Sequence, residues 1–228
     1  MSSGSPMDAR SAILGKIRRA LRVTAEDPIR NAAVEARLNR APKGVIPARG
    51  QLDEAGRVAL FAQMAEHFAA TTERVADAAA VPAAVAAYLR GHNLPAEIRM
   101  GEDAVLNAMP WPKTQIDVRH GPADGRDAVG LSRATAAVAE SGTLVMTSGQ
   151  DNPTTLNFLP ETSVVVLEAA AVAGDYESVW ATLRKRYGKG VLPRTVNMVT
   201  GPSRSADIEQ KLQLGAHGPR NLHIIIVG

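Results

Sequence analysis

The sequence predicts an α/β fold in which helices flank a mainly parallel sheet, preceded by an N-terminal helical arm. Residues 164–167 and 222–227 form continuous apolar runs, as expected of strands that helices cover on both faces. Residues 176–187 and 206–214 are predicted to supply two such helices. With 228 residues and 45% hydrophobic content, the chain is long enough to bury one substantial core.

The N-terminal arm, residues 1–50, is distinct in charge from the α/β domain, residues 51–228. It holds ten Lys/Arg against four Asp/Glu, whereas residues 51–228 hold sixteen against nineteen, in a chain whose net charge is +3. Ile13, Ile17 and Leu21 recur at helical spacing and predict an amphipathic helix, and residues 24–50 predict an extended, partly helical stretch. We expect the arm to dock on its own domain or on a sister subunit, which leaves a homo-oligomer open, rather than on nucleic acid.

The remaining elements follow from periodicity, with glycine and proline at their ends. Helices are predicted at residues 52–70, 82–90, 176–187 and 206–214. Strands are predicted at residues 74–76, 97–100, 116–119, 129–131, 135–138, 144–146, 164–167, 196–199 and 222–227.

Composition and missing motifs exclude several classes of protein. The chain has no cysteine, so disulfides, thiolate nucleophiles and iron-sulfur ligation are not expected. Its five histidines include no pair at helical ligand spacing, so no metal site is predicted. Nucleotide-binding glycine motifs and the serine-hydrolase elbow are missing, whereas a flavin stays open. Neither a membrane-length apolar run nor a secretory signal is evident, which predicts a cytoplasmic protein.

Two polar loops near the C-terminus hold the best candidate site residues. In the first, Thr-Gly-Pro-Ser-Arg-Ser at 200–205, Ser203 and Arg204 precede a predicted helix and could bind a carboxylate or phosphate there, with Asp207 close by. Alternatively, Ser203 is only a helix cap and Asp207 pairs with Arg204.

The second loop is Gly-Ala-His-Gly-Pro-Arg at 215–220. His217 is the best general acid-base candidate because an imidazole between glycines is accessible and titrates near neutral pH. Gly218 and Arg220 could contact the same anion as Arg204. His223 lies within the last strand and is interpreted as a hydrogen-bonded core residue.

The turn Ala-Glu-Ser-Gly-Thr at 139–143 is a third candidate. Glu140 could project as a base or nucleophile, while Ser141, Gly142 and Thr143 could let a ligand approach the backbone; alternatively, Glu140 only accepts backbone hydrogen bonds within the turn. Asn157 is a further polar candidate. We expect the three loops to meet in one cleft, because strand-end loops converge at a crevice in α/β sheets.

These segments together resemble a known family. AVAESGTLVM at 137–146, TTLNFLPETSVVVLE at 154–168, and the joint occurrence of GPSR, ADIE and GAHGPR look like the LUD domain of the lactate utilization protein C family. The resemblance implies the fold of the ribose-5-phosphate isomerase and CoA-transferase superfamily. The turn at Glu140 resembles one in CoA-transferases, in which a glutamate attacks an acyl group.

The resemblance also implies a function. It predicts a cytoplasmic component of a bacterial system that oxidises L-lactate to pyruvate, with iron-sulfur clusters in partner proteins and no cofactor in this chain. Two alternatives remain open: an independent enzyme or binding protein for a phosphorylated or CoA-linked small molecule, and a non-catalytic adaptor subunit.

Overall fold

The computed structural model describes residues 8–24, 26–205, 213–215 and 217–228. The chain forms two compact units, Met1–Gly44 and Val45–Gly228. The first contains helices α1 (Ala9–Leu21) and α2 (Pro28–Arg40). An aspartate caps each helix, since Asp8 accepts from the Arg10 amide and Asp27 from the Arg30 amide. Helix α1 confirms the predicted amphipathic helix, and α2 is a regular helix within the stretch predicted to be partly helical.

In its described residues, the second unit contains four α-helices and twelve strands. The helices are α3 (Glu54–His67), α4 (Val81–Gly91), α5 (Ala104–Asn107) and α6 (Tyr176–Tyr187). The strands are β1 (Thr71–Val75), β2 (Glu97–Met100), β3 (Asp117–His120), β4 (Val129–Arg133), β5 (Ala136–Val138), β6 (Thr143–Thr147), β7 (Thr162–Glu168), β8 (Val172–Ala173), β9 (Val196–Val199), β10 (Arg204–Ser205), β11 (Gln213–Leu214) and β12 (Asn221–Val227). Among the described residues, no helix is long and apolar enough to span a bilayer.

The main sheet has six strands in the order β1-β12-β7-β4-β2-β3, and every neighbouring pair is parallel. Two of its inner strands, β7 and β12, bury apolar side chains on both faces. On one face Val164 and Val166 pack in a cluster that includes α4, and on the other Val165 and Leu167 pack with α3 and β6. Full burial of each such side chain contributes about 2 kcal/mol. The predicted α/β fold is confirmed.

A second sheet of four strands, in the order β8-β5-β6-β9, covers one face of the first. The pairs β5-β6 and β6-β9 are antiparallel, while β5-β8 is parallel. The connection from β5 to β6 is the single turn Ala139–Ser141 followed by Gly142, at φ +63°. So short a connection suits an antiparallel pair, because a parallel pair needs a long crossover. The sequence prediction did not separate this sheet from the main one.

A short antiparallel ladder joins β10 to β11, with Arg204 opposite Leu214 and Ser205 opposite Gln213. The prediction of a helix at residues 206–214 is therefore wrong for residues 213 and 214, which form strand β11 of this ladder. Residues 206–212 lie outside the described residues. The helix predicted for residues 176–187 is confirmed as α6, where Asp175 caps the first turn by accepting from the Ser178 amide at 2.8 Å.

Candidate functional site

A cavity of about 280 Å³ lies between the two sheets. Its walls are apolar: Leu144 and Met146 project from β6, Val165 from β7 and Leu222 from β12. Each of these residues is buried. The cavity opens between two loops, residues 200–204 and 217–219. An apolar cavity with a polar opening is the usual form of a small-molecule site.

Ser203 holds the two loops together. Its amide donates to the Pro219 carbonyl at 2.8 Å, and its carbonyl accepts from the Gly215 amide at 2.9 Å. Its hydroxyl accepts from the His217 amide at 3.2 Å. The Ser203 side chain therefore closes a link between the loops, a role that neither sequence interpretation anticipated.

Gly201 fixes the path of the first loop. Its φ is +71°, and a Cβ atom there would lie 2.2 Å from the carbonyl oxygen of Phe68. Any other residue would destabilise the fold, both through the left-handed backbone conformation and through this overlap. The glycine of the GPSR motif thus allows the loop to pack against the end of α3, while the neighbouring Thr200, Ser203 and Arg204 line the cavity.

Arg204 and His217 lie at the opening, and both side chains are exposed. Among the described residues, no carboxylate pairs with the Arg204 guanidinium. Asp207, its predicted alternative partner, lies outside the described residues. Gly218 also lines the opening, where a Cβ atom would lie 3.3 Å from the Ser203 Cβ. The structure therefore brings together four predicted site residues from the two C-terminal loops.

Asn157 and Ser163 provide polar groups among the buried lining. Each is only 4% exposed. Within the described part of the chain, neither Asn157 Oδ1 nor Asn157 Nδ2 has a hydrogen-bond partner. Asn157 belonged to the predicted site, whereas Ser163 did not. The sequence did not mark Ser163 as a site residue, because a single serine inside an apolar strand has no motif around it.

Glu140 does not line this cavity. The prediction that it shares one cleft with Arg204 and His217 is therefore wrong. Glu140 is 6% exposed, and its amide donates to the Gly174 carbonyl. Its Oε2 has no hydrogen-bond partner among the described groups. The adjacent Gly142 does not leave room for a ligand, because a Cβ atom there would lie 2.4 Å from the Ala65 amide nitrogen in α3.

The two hydroxyls of the same turn connect it to the cavity wall. Thr143 Oγ1 lies 2.8 Å from Ser141 Oγ, 2.9 Å from the Tyr176 hydroxyl and 2.7 Å from Thr200 Oγ1. Thr200 lines the cavity. Ser141 and Thr143 therefore support the wall from behind and do not line the cavity themselves. Tyr176 and Thr200 were not predicted as site residues, since only the folded chain brings their hydroxyls to Ser141 and Thr143.

Arg220 faces a neighbouring cavity, which shares Gly218 with the first. Its guanidinium lies 3.4 Å from the Glu161 carboxylate. Both side chains are more than half exposed, so this pair contributes little to stability. Arg220 therefore lines a different cavity from Arg204 and faces a carboxylate, and its contact with the same anion as Arg204 stays a prediction.

His223 is a core residue, as predicted, but only one of its ring nitrogens is hydrogen-bonded within the described chain. Nδ1 lies 2.8 Å from Thr71 Oγ1, while Nε2 has no hydrogen-bond partner there and lies 3.7 Å from Glu73 Oε2. The ring stacks on Tyr88 with centroids 4.1 Å apart. Burial, with a smaller contribution from nearby His92, lowers the pKa of His223 to about 4. The described residues include no group of three or more potential metal ligands.

Comparisons with known proteins agree with this fold. The model of the LUD domain matches residues 53–227. Lactate utilization protein C of Geobacillus sp. (strain WCH70) is 34% identical over 127 residues, which cover 51% of this chain and 53% of that protein. Its namesake in Bacillus subtilis (strain 168) is 34% identical over 100 residues, 43% of this chain and 42% of that protein. The chain thus spans about half the length of these curated relatives.

A solved structure shows the same fold. The crystal structure of a DUF162 family protein from Deinococcus radiodurans superimposes with a TM-score of 0.57. The match covers 78% of this chain and 99% of that one, at 20% sequence identity. The likeness supports the α/β architecture described above, in which a mainly parallel sheet is flanked by helices.

Proposed function

This chain belongs to the LUD domain family, and we propose that it serves in lactate utilization as a component that binds a small carboxylate in the cavity between its sheets. Relatives named Lactate utilization protein C support the physiological role. The opening of the cavity supports the ligand class, because Arg204 and His217 stand there on loops that Ser203 holds together. This juxtaposition is the single observation that carries the proposal.

The chemistry of the opening suits a carboxylate. A guanidinium can donate two parallel hydrogen bonds to the two oxygens of a carboxylate. The apolar walls would hold the hydrocarbon part of the ligand. His217 could accept or donate a proton at a neighbouring hydroxyl or carbonyl, because a neutral imidazole has one nitrogen that accepts and one that donates.

The reaction of the proposed system also needs an electron path. Oxidation of L-lactate to pyruvate removes two protons and two electrons. Because the chain has no cysteine, the electrons would pass to iron-sulfur clusters held by partner proteins. We place the system in the cytoplasm.

Growth on L-lactate tests the physiological role. A host strain deleted for this gene should fail to grow on L-lactate and should regain growth with the wild-type gene. Arg204→Lys should restore growth only weakly, since an ammonium cannot reproduce the planar fork of the guanidinium. Arg90→Lys is the matched control, because Arg90 is exposed near the end of α4. Its growth should equal that of the wild type.

Calorimetric titration of the purified protein tests the ligand class. L-lactate or pyruvate should bind to the wild type about tenfold more tightly than to Arg204→Lys. Tighter binding of a phosphorylated or CoA-linked compound would replace this proposal with that of an independent enzyme. If Arg204→Lys and His217→Asn both restore full growth, the carboxylate site is wrong and the chain acts as an adaptor.

A further inference from the structure

Helix α1 carries a row of exposed apolar side chains, here called the α1 stripe. Ile13, Ile17 and Leu21 are four residues apart, so they lie on one face of the helix. They are 58%, 47% and 61% exposed, and no residue of α1 is buried. Contact with water is unfavourable for such side chains, so the α1 stripe is suited to bind an apolar surface.

The α1 stripe belongs to a part of the chain outside the LUD domain. The match to that domain begins at residue 53, whereas α1 ends at Leu21. The fold that this chain shares with its family is therefore complete without α1. A helix that the shared fold does not require, and whose apolar face is exposed, is more readily explained by binding than by stability.

Positive charge surrounds the α1 stripe. Residues 9–25 include five Lys/Arg and no Asp/Glu. Because successive residues of an α-helix are rotated by about 100°, Lys16 and Arg18 lie on opposite borders of the stripe, and Arg19 lies on the far side of the helix. Long cationic side chains at such borders can bury their stems and keep their charges among polar groups. This pattern is typical of helices that lie in the plane of a membrane interface.

The distribution of the charges favours a lipid surface over other anionic partners. A protein groove could pair with the border cations but would leave Arg19 in water on the far side. The helix is about 10–12 Å across, and charges interact over about 8 Å at physiological ionic strength, so a sheet of anionic headgroups attracts the cations on every side. Nucleic acid would attract the same cations, but its phosphate backbone would leave the α1 stripe in water.

We propose that α1 binds the surface of a bilayer that contains anionic lipids. The α1 stripe enters the boundary between headgroups and acyl chains, and Lys16 and Arg18 remain at the level of the phosphates. Because the buried apolar face is small, the attraction between cations and anionic headgroups supplies much of the affinity and makes the binding sensitive to salt. The inference goes beyond the proposed function, since the carboxylate site takes no part in it.

Flotation of the full-length protein with lipid vesicles tests this proposal. The wild type should bind vesicles of equal parts phosphatidylcholine and phosphatidylglycerol at least about tenfold more tightly than vesicles of phosphatidylcholine alone, and salt should weaken the binding. Ile17→Asp should weaken it about tenfold more than Ser11→Asp. Both substitutions add the same charge to α1, but Ser11 is an exposed polar residue outside the α1 stripe. The double substitution Arg18→Gln and Arg19→Gln should reduce binding only to the anionic vesicles.

Mass and stability in solution separate the lipid surface from protein partners. Ile17→Asp should keep the wild-type mass and melting temperature, because Ile17 is 47% exposed. A lower mass would show that the α1 stripe is covered by a second copy of the chain, and a lower melting temperature that it packs on its own chain; either result would overturn the proposal. Equal binding of the wild type to both kinds of vesicle, binding to neither, or equal effects of Ile17→Asp and Ser11→Asp would overturn it as well.

Discussion

Acid should destabilise this fold through His223. The ring is buried, with Nδ1 bonded to Thr71, and its pKa is lowered to about 4 from an ordinary value of 6.5 by burial and, to a smaller extent, by His92. The folded protein thus disfavours the charged ring, and the unfolded chain takes up the proton first as the pH falls. The stability that neutral His223 contributes is present above pH 6.5 and is lost as the pH falls from about 6.5 to about 4.

The magnitude follows from the two pKa values. Each pH unit between them corresponds to 1.36 kcal/mol, so the difference between 6.5 and about 4 amounts to a loss of about 3 kcal/mol. Glu73 is the carboxylate nearest to the ring, with Oε2 at 3.7 Å from Nε2. Its side chain is 44% exposed, so solvent screens its attraction for a protonated ring.

Urea unfolding measures this loss. The free energy of unfolding of the wild type, followed by tryptophan fluorescence between pH 8 and pH 4, should fall more steeply than that of His223→Gln. The difference between the two curves should change by about 3 kcal/mol, with most of the change below pH 6.5. His120→Gln is the control, because the side chain of His120 is 40% exposed. Parallel curves for the wild type and His223→Gln would show that His223 stays neutral in both states or charges equally in both, and the reasoning would be wrong.

Two substitutions test the packing of the loops and the buried ion pair. Gly201→Ala should lower the free energy of unfolding, measured in urea, by about 3 kcal/mol, because φ is +71° and the new Cβ would lie 2.2 Å from the Phe68 carbonyl oxygen. Gly91→Ala is the control and should be nearly neutral, because no atom lies within 4 Å of its Cβ. Equal effects of the two substitutions would contradict the argument. Asp103→Asn should cost about 3 kcal/mol, because the buried Asp103 carboxylate accepts a bifurcated hydrogen bond from the Arg133 Nε–H, with N···O distances of 3.2 and 3.0 Å. An unchanged unfolding midpoint at pH 7 would exclude that role for the pair.

The sequence was informative about the main sheet because burial on both faces leaves an apolar run that periodicity analysis detects. The predicted strands at residues 164–167 and 222–227 are confirmed as the inner strands β7 and β12 for that reason. The second sheet left a weaker signal. Its strands β5 and β8 have three and two residues, too few for alternation to distinguish an antiparallel sheet from the edge of a parallel one.

The candidate site was predictable where its residues lie on neighbouring loops. The prediction identified both C-terminal loops, and the structure brings them together through Ser203. It failed at Glu140 because the environment of that turn depends on α3, which lies some 75 residues earlier and fills the space beside Gly142. A local motif can show that glycine is required, but not whether a ligand or a helix approaches it.

The hydroxyl cluster shows how the turn at Glu140 can influence the cavity without lining it. A hydroxyl has one hydrogen to donate and two lone pairs that accept, so the three contacts of Thr143 Oγ1 use its full capacity. Ser141 and Thr200 are therefore held by one saturated group, and Tyr176 joins α6 to it. If the turn moved while Thr200 kept its place in the cavity wall, at least one of these hydrogen bonds would break. The turn at residues 139–143, which carries part of the family resemblance, thus supports the cavity wall and lies one hydrogen bond away from Thr200, which lines the cavity.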